Sequence, residues 1–463
     1  MYGVDAFFYK CFLLSLTSAL PNDYQIFTVK HFKIRELRVK STMKTTALGR
    51  LRNRSAESKV STNWRNRAAA LTSVDIKPKS LGKIAIYIDL LQGYGADKTL
   101  LKIAEGLAES GVDVDLVTAK KVGKIGSKIN PAVNLIDLGS SRFNLVKNVV
   151  GLTNYLIDNK PAILFSSIHF NNITSACAMT LARLAGVKSK LVVRQANRLE
   201  CQLKGYPFPI GALMYPLIRM AYKKADLIIC PSKGLLSDLT KFMKAEESKI
   251  KLVYNPTVTA DIFEKARQKT NHPWFEQKSF PIILGAGRLK PQKDFKTLIE
   301  AFARVKRNFP DAKLVILGEG AQRRELENLV IKLGIKDNVD LVGFQENPYA
   351  FIAKADVFVL SSIYEGLPNI LIEALALKKK IVATNCPSGP AEILKFGQYG
   401  SLLPTGSPFL LEAAIVQALE QQTYSLVESS PAEDFEQKKQ VEKYGQIFLN
   451  LIDLDSPKKP VSI

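Results

Sequence analysis

Val357-Phe358-Val359-Leu360-Ser361-Ser362-Ile363-Tyr364-Glu365-Gly366-Leu367-Pro368-Asn369-Ile370-Leu371-Ile372-Glu373-Ala374-Leu375 reads as a strand, a loop and a helix. Val357–Leu360 is short, apolar and rich in β-branched and aromatic residues, which suits a buried strand. Pro368 suits the first turn of a helix, where its missing N–H costs nothing. Glu365 then sits on a loop at the strand's carboxyl end, and Glu373 about two turns into the helix. A helix N-terminus aimed across such a loop favours an anion. On these residues alone two readings stand level. The segment grips a sugar and a ribose beside a diphosphate, or it carries one glutamate on a loop and one on a solvated helix face.

Working outward, the same rhythm repeats. Ile282–Gly285, Lys313–Leu317, Val339–Val342, Ile381–Ala383 and Ser401–Leu403 read as strands. After Asp294, a plausible N-cap, Phe295, Leu298, Ile299, Phe302 and Val305 fall on one helical face. The first half begins with a strand at Lys83–Ile88, a glycine loop at Gln92–Ala96 and a helix from about Asp97 to Gly111. Strands follow at Val112–Val117, Ala162–Phe165, Leu191–Val193, Leu227–Cys230 and Ile250–Val253. Helical patterns lie near Val146–Asp158, Ile173–Ala185, Ala212–Lys224 and Gly234–Phe242. Such alternation implies parallel sheets covered on both faces, with ligands at the strands' carboxyl ends. Tyr254–Pro281 reads as a polar linker. The expected organisation is a basic disordered extension at 1–80, an α/β domain at 81–255, a second at 256–434, and an amphipathic helix at 435–452.

Composition narrows the partners. The 463 residues are 46% hydrophobic and 23% charged, ordinary globular proportions, and net charge is +22. Residues 1–80 carry 15 Lys/Arg against 5 Asp/Glu, so +10 of that charge is theirs. The balance favours anionic partners without choosing among nucleic acid, anionic lipid and phosphorylated substrates. The five cysteines (Cys11, Cys177, Cys201, Cys230, Cys386) are scattered and form no CxxC pair, and only His31, His169 and His272 are present. A zinc site or disulfide framework is disfavoured, and a reducing, cytoplasmic setting is expected. No apolar run approaches the ~20 residues of a spanning helix.

Several residues are candidates for chemistry. Arg288 ends the first strand of the second half and Lys293 opens the next helix; two fixed cations suit a diphosphate leaving group, and two solvated surface charges are the alternative. The Gln92–Ala96 loop is a weak dinucleotide fingerprint, because Lys98 takes the third glycine position of GxGxxG. It is either a loop that approaches phosphate or sugar, or a plain tight turn. Asp113-Val114-Asp115 reads as a strand entry rather than a metal site. His169 follows a strand and either faces the cleft or is structural. With only three scattered histidines, no Ser/His/Asp grouping can be assembled from the sequence, which disfavours triad chemistry. The basic loop Lys120–Lys128 and the segment Met214–Lys224 offer a peripheral contact with an anionic membrane at its inner face, against a solvated loop and a core helix with a basic edge.

Arg288 with Lys293, Gly318-Glu319-Gly320, the Glu365–Glu373 pair and Cys386-Pro387-Ser388-Gly389-Pro390-Ala391-Glu392 occur in order and at spacings that resemble the family 4 glycosyltransferases. The resemblance covers roughly residues 81–452 and is strongest in the second half. It implies the GT-B fold, two facing Rossmann-like domains with a cleft between them, and a last helix that crosses back to the first domain. It implies donor diphosphate contacts at Arg288 and Lys293, donor-sugar contacts at Glu365 beside Gly366, and ribose contact at Glu373. Gly343-Phe344 would border the base, Gly93 and Gly95 would line the first-domain loop, and His169 would match a cleft position. That loop reads Gly-Tyr-Gly-Ala-Asp-Lys where Gly-Gly-Ala-Glu-Arg is common. The implied reaction is retaining transfer from a nucleotide-diphosphate sugar, UDP-linked by a weaker hint, to a glycan or lipid-linked acceptor. The departing phosphate takes the acceptor proton, and neither metal nor other cofactor is needed. Specific nucleic-acid binding is not expected. A nucleotide-sugar epimerase on the same architecture and a non-catalytic nucleotide-sugar-binding protein are the rival readings.

Overall fold

The structure is a computed structural model that describes residues 81–91, 95–120, 129–141, 144–204, 210–243, 247–276, 279–421 and 431–453. The basic extension at 1–80 and residues 121–128 of the basic loop lie outside them. The first lobe runs β1 (Ile84–Ile88), α1 (Gly95–Glu109), β2 (Val114–Thr118), β3 (Val133–Asp137), α2 (Leu145–Asn159), β4 (Ile163–Ser167), α3 (His169–Leu184), β5 (Lys190–Arg194), α4 (Leu199–Lys204), α5 (Ile210–Lys224), β6 (Leu227–Cys230), α6 (Lys233–Met243) and β7 (Ile250–Leu252). Its strands form a 7-stranded sheet in the order β3-β2-β1-β4-β5-β6-β7. Every pairing is parallel.

Strand alternation decides what each face buries. In β1, Ile84, Ile86 and Ile88 face Leu100, Ile103, Ala104 and Leu107 of α1, while Ala85 and Tyr87 face the core shared with α2, α3 and α5. Successive side chains of a strand point to opposite faces, so a strand covered on both sides is apolar throughout. On α5, Ile218, Ala221 and Tyr222 are buried, while Tyr215, Met220, Lys223 and Lys224 are exposed. No helix among the described residues is long and apolar enough to cross a membrane.

The second lobe comprises α7 (Ala260–Ala266), α8 (Pro273–Glu276), β8 (Ile282–Ala286), α9 (Phe295–Val305), β9 (Lys313–Leu317), α10 (Arg323–Lys332), β10 (Val339–Gly343), α11 (Pro348–Lys354), β11 (Val357–Leu360), α12 (Asn369–Ala376), β12 (Lys380–Thr384), α13 (Pro390–Ile393), β13 (Ser401–Leu403) and α14 (Pro408–Glu420). The 6-stranded sheet has the order β10-β9-β8-β11-β12-β13. Phe358 and Leu360 of β11 face α11 and α12, and Val357 and Val359 face α9 and α14. Asp294 caps α9, its carboxylate accepting from Thr297 N.

Two expectations need correction. The stretch read as a linker carries α7 and α8, and Ile262, Ala266 and Phe275 anchor them in the second core. Polar residues dominate their outer faces and hide the period. The half-exposed edge strand β3 is an addition, its Val-Asn-Leu-Ile-Asp too mixed to read as a buried strand.

The chain passes between lobes twice, and the two passages are tied together. Thr257 N and Val258 N both donate to Phe435 O at 2.9 Å, and Gln437 N donates to Val258 O at 2.9 Å. The last helix, α15 (Gln437–Asp453), then lies on α1 and buries Val441, Tyr444 and Phe448 in the first lobe. Gly106 of α1 permits this approach, since a Cβ there would meet Val441 Cγ2 at 2.6 Å. Alanine would gain about 1 kcal/mol of helix propensity, but overpacking against a branched, buried valine costs about 1–3 kcal/mol. Gly106→Ala is therefore expected to lower the melting temperature. Val441→Ala in the same chain should recover most of that loss, and additive losses in the double variant would refute the close packing.

Candidate active site

Each sheet reverses its strand order once, between β1 and β4 in the first lobe and between β8 and β11 in the second. At such a switch point adjacent loops diverge to opposite faces and leave a crevice at the strands' carboxyl ends. The sequence candidates cluster there: Gly95 and His169 after β1 and β4, Arg288, Lys293 and Glu365 after β8 and β11. Gly93 lies outside the described residues.

The second-lobe loops are laced together. Ile363 N donates to Gln292 O at 2.9 Å, Gln292 Nε2 to Tyr364 O at 2.8 Å, and Ser361 Oγ to Lys293 O at 2.7 Å. This brings Lys293 Nζ to 2.5 Å from Glu365 Oε1, with the two side chains 14% and 8% exposed. Ser362 Oγ donates to the same oxygen at 2.7 Å and Gln292 Nε2 reaches Oε2 at 3.4 Å. Three donors thus fix the carboxylate's orientation, as a positioning group requires. Arg288 is exposed beside them.

Lys290 belongs to this cluster and was not singled out from the sequence, because a loop lysine looks like any solvated charge. Burial, then the Arg288 and Lys293 charges, pulls its ammonium down to about 8, with Glu365 opposing. Three cations therefore surround one small space. Gly318 keeps the adjoining turn tight, since its φ of +139° suits glycine and a Cβ would lie 1.9 Å from Gly287 O. Gly318 N in turn bonds Gly343 O at 2.8 Å, and Phe344 follows with its ring half exposed.

The helix carrying Glu373 starts one residue later than expected. Pro368 is its N-cap rather than its first residue, so Glu373 lies just over one turn in. It is not on a solvated face. It is 8% exposed, and Tyr349 Oη donates to Oε1 at 3.3 Å. Burial raises its carboxyl above the ordinary value, with the Lys102 and Lys98 charges opposing. Lys102 comes from α1 of the other lobe, and its Nζ donates to Thr257 O at 2.6 Å.

His169 is the first residue of α3, four residues ahead of the helical pattern read from Ile173. Ile168, at φ +73°, makes the sharp turn out of β4, a conformation a β-branched residue rarely adopts and no sequence signal announces. Burial draws His169 down to about 4, so its ring is neutral near pH 7. Gly95 is the first residue of α1, where its carbonyl accepts from Thr99 Oγ1 at 2.8 Å. Asp113 and Asp115 are tied up structurally. Asp115 accepts from Tyr155 Oη at 2.6 Å and lies 3.2 Å from Lys83, while Asn134 contacts both aspartates at 3.2 and 3.1 Å.

The lobes touch where Gly366 meets Ala196. A Cβ on Gly366 would sit 2.2 Å from Ala196 O. Around this point Ser232 Oγ donates to Gly366 O at 2.9 Å, and Glu392 accepts from Lys233 N at 2.9 Å and Tyr254 Oη at 2.6 Å. Glu392 is thus a clasp between lobes.

Residues 94–261 match the model described as Glycosyltransferase Family 4, and residues 266–443 that of Glycosyl transferases group 1. The chain is 32% identical over 263 residues to an uncharacterized glycosyltransferase of Methanocaldococcus jannaschii, covering 54% of this chain and 62% of that one. It is 35% identical over 223 residues to the N-acetylgalactosamine-N,N'-diacetylbacillosaminyl-diphospho-undecaprenol 4-alpha-N-acetylgalactosaminyltransferase of Campylobacter jejuni, covering 48% of this chain and 58% of that one. The chain thus spans about six tenths of the length of these relatives. Its backbone resembles Anabaena Alr3699/HepE in complex with UDP-glucose, with a TM-score of 0.60 and 17% identity over 81% of this chain and 98% of that one, a likeness of fold alone. Two adjoining family matches, one on each lobe, and two facing parallel sheets with their switch points turned to one cleft show that the chain belongs to the family 4 glycosyltransferases and has the GT-B fold.

Proposed function

We propose that this chain transfers a sugar from a UDP-linked donor to an acceptor hydroxyl, with retention, in the assembly of a polysaccharide or lipid-linked glycan. The carrying observation is the Lys293–Glu365 pair with Arg288 and Lys290 beside it at the second lobe's switch point. The donor named for HepE and the diphospho-undecaprenol-linked acceptor named for the Campylobacter relative support the substrate class.

In this reading the bond from the sugar's anomeric carbon to the diphosphate oxygen breaks, and UDP leaves. The acceptor oxygen bonds the same face of that carbon, and its proton passes to the departing phosphate oxygen. Arg288, Lys290 and Lys293 offset the charge that develops on the diphosphate, so no protein base need sit at the reacting carbon. Glu365, held by its three donors, accepts from sugar hydroxyls, and Glu373 accepts from the ribose. Gly366 leaves room beside the sugar, Gly343 and Phe344 border the base, and Gly93 and Gly95 approach the donor from the first lobe. The neutral ring of His169 orients a hydroxyl. No metal or other cofactor is assigned a role.

A panel of UDP-sugars, assayed for donor consumption with and without lipid-linked acceptors, tests the reading. Formation of an epimeric UDP-sugar without acceptor would replace it with the epimerase reading. Donor binding with no turnover under any acceptor would leave a binding protein. Lys293→Ala is expected to slow transfer on the order of 100-fold; a rate within a few-fold of wild type removes Lys293 from its role.

Lys290 gives a pH signature. Its proton is lost as pH rises through about 8 in the free protein, and the diphosphate needs it bound. Donor affinity should fall on the alkaline side, and Lys290→Met should bind weakly at pH 7 with that limb flattened. An unchanged alkaline limb in the variant excludes Lys290. His169 acts on stability with the opposite sign. Its folded value near 4 lies below the 6.5 of an exposed histidine, so its contribution is complete above 6.5 and is lost as pH falls toward 4. Between pH 7.5 and 5 the loss is about 2 kcal/mol. Denaturant unfolding of His169→Gln should show a shallower decline over that range.

A further inference from the structure

Apolar packing accounts for most of the interior, but a line of polar side chains runs through the middle of the molecule. Arg194, at the end of β5, is 1% exposed. Its Nη1 donates to Ser167 Oγ at 3.2 Å and its Nη2 to Asn255 Oδ1. Asn255 lies where the chain first passes between lobes. Its Nδ2 donates to Asn369 Oδ1 at 2.6 Å. Asn369 opens α12, and its Nδ2 donates back into the first lobe, to Thr99 Oγ1 at 3.1 Å and, at a long 3.5 Å, to Gly95 O. Thr99 Oγ1 closes the line on Gly95 O at 2.8 Å.

The direction of this line is fixed chemically. A guanidinium only donates, so Asn255 must present its oxygen to Arg194 and its amide nitrogen to Asn369, and Asn369 must then present its own nitrogen to Thr99. Asn255 and Thr99 are buried, so breaking a link costs their side chains a partner that water does not readily replace, although Asn255 Nδ2 also reaches Leu367 O at 3.4 Å and Thr99 keeps Gly95 O. Asn369 also stands four residues from Glu365 and four from Glu373, on the same short helix as Glu373. That helix cannot shift on a donor without carrying Asn369, and Asn369 cannot move without pulling Thr99 and Gly95 or losing them.

We propose that Asn369 is a positioning residue that couples occupancy of the donor site to the start of α1, the helix behind the first lobe's glycine loop. The inference rests on the donor reading of Glu365 and Glu373. The Asn369–Thr99 bond ties the start of α1 to α12, so a nucleotide sugar that steadies α12 steadies the start of α1 with it.

Hydrogen exchange at the amides of residues 96–101, with and without saturating UDP, tests this in the full chain and in Asn369→Ala, Thr99→Val and Thr99→Ser. In wild type and Thr99→Ser, UDP should slow exchange there about tenfold, the worth of one well-made bond. In Asn369→Ala and Thr99→Val that response should vanish, although calorimetry still finds UDP bound within about threefold of wild-type affinity. Persistence of the response in Asn369→Ala overturns the proposal. So does its loss in Thr99→Ser together with Thr99→Val, since packing rather than the hydroxyl would then be responsible. If UDP does not bind wild type, the donor reading fails by itself, and ligand-free exchange decides the coupling. Faster exchange at 96–101 in Asn369→Ala and Thr99→Val than in wild type and Thr99→Ser supports it, and equal rates overturn it.

Discussion

Lys293 and Glu365 are buried against each other at 2.5 Å, and the second lobe is arranged around that contact. Taking two charges out of water is expensive, and their attraction offsets the cost only when geometry and supporting hydrogen bonds are good. β8 and β11 are neighbours in register, so their loops leave the sheet side by side. Ser361 and Gln292 then bind the two loops backbone to side chain, and Ser362 and Gln292 satisfy the carboxylate. Removing either charge would strand the other, so the pair constrains both loops together. Arg288 and Lys290 add further positive charge beside the pair, as a diphosphate site requires.

The contact between lobes is polar where the cores are not. Gly366 meets Ala196 backbone to backbone, Ser232 bonds Gly366 O, and Glu392 accepts from Lys233 N of the first lobe and from Tyr254 at the chain passage. Hydrogen bonds of this kind exchange with water at little net cost, about 0.5–1.5 kcal/mol each. Such an interface can open and close around a substrate in a way that an interface of interlocked apolar side chains cannot. The apolar attachment is displaced to α15, whose Val441, Tyr444 and Phe448 are buried in the first lobe beside the paired chain passages. Firm joining and a separable cleft are thereby assigned to different parts of the chain.

The alternation of buried strands and helices was plain in the sequence because covered parallel strands are uniformly apolar, and Val357–Leu360 and Lys313–Leu317 coincide with the elements read there. The Arg288, Lys293 and Glu365 cluster was also legible, since each stands just past a recognisable strand. What stayed hidden depends on partners far away in sequence. Glu373 is buried beside Tyr349, Lys290 is perturbed by burial and then by the Arg288 and Lys293 charges, and Glu392 finds Lys233 in the other lobe. The helix start at His169, ahead of the pattern read from Ile173, was hidden for another reason. Ile168 takes a conformation its side chain disfavours, and local propensity argues against the observed turn.

That strained turn also bears on the division of labour in the cleft. The second lobe carries Lys290, Lys293 and Glu365 on loops braced by many hydrogen bonds, whereas the first lobe offers a neutral imidazole behind a strained residue and a helix start tied to the other lobe through Asn369. A site that must neutralise a fixed, highly charged group gains from rigid charges already in place, because nothing then reorganises as the bond breaks. A site that receives a hydroxyl from a bulky glycan gains from neutral groups, because a buried charge there would have to be desolvated each time the lobes close. On the proposed reading, this distribution of charge suits a donor diphosphate at the second lobe's switch point and an acceptor hydroxyl beside His169.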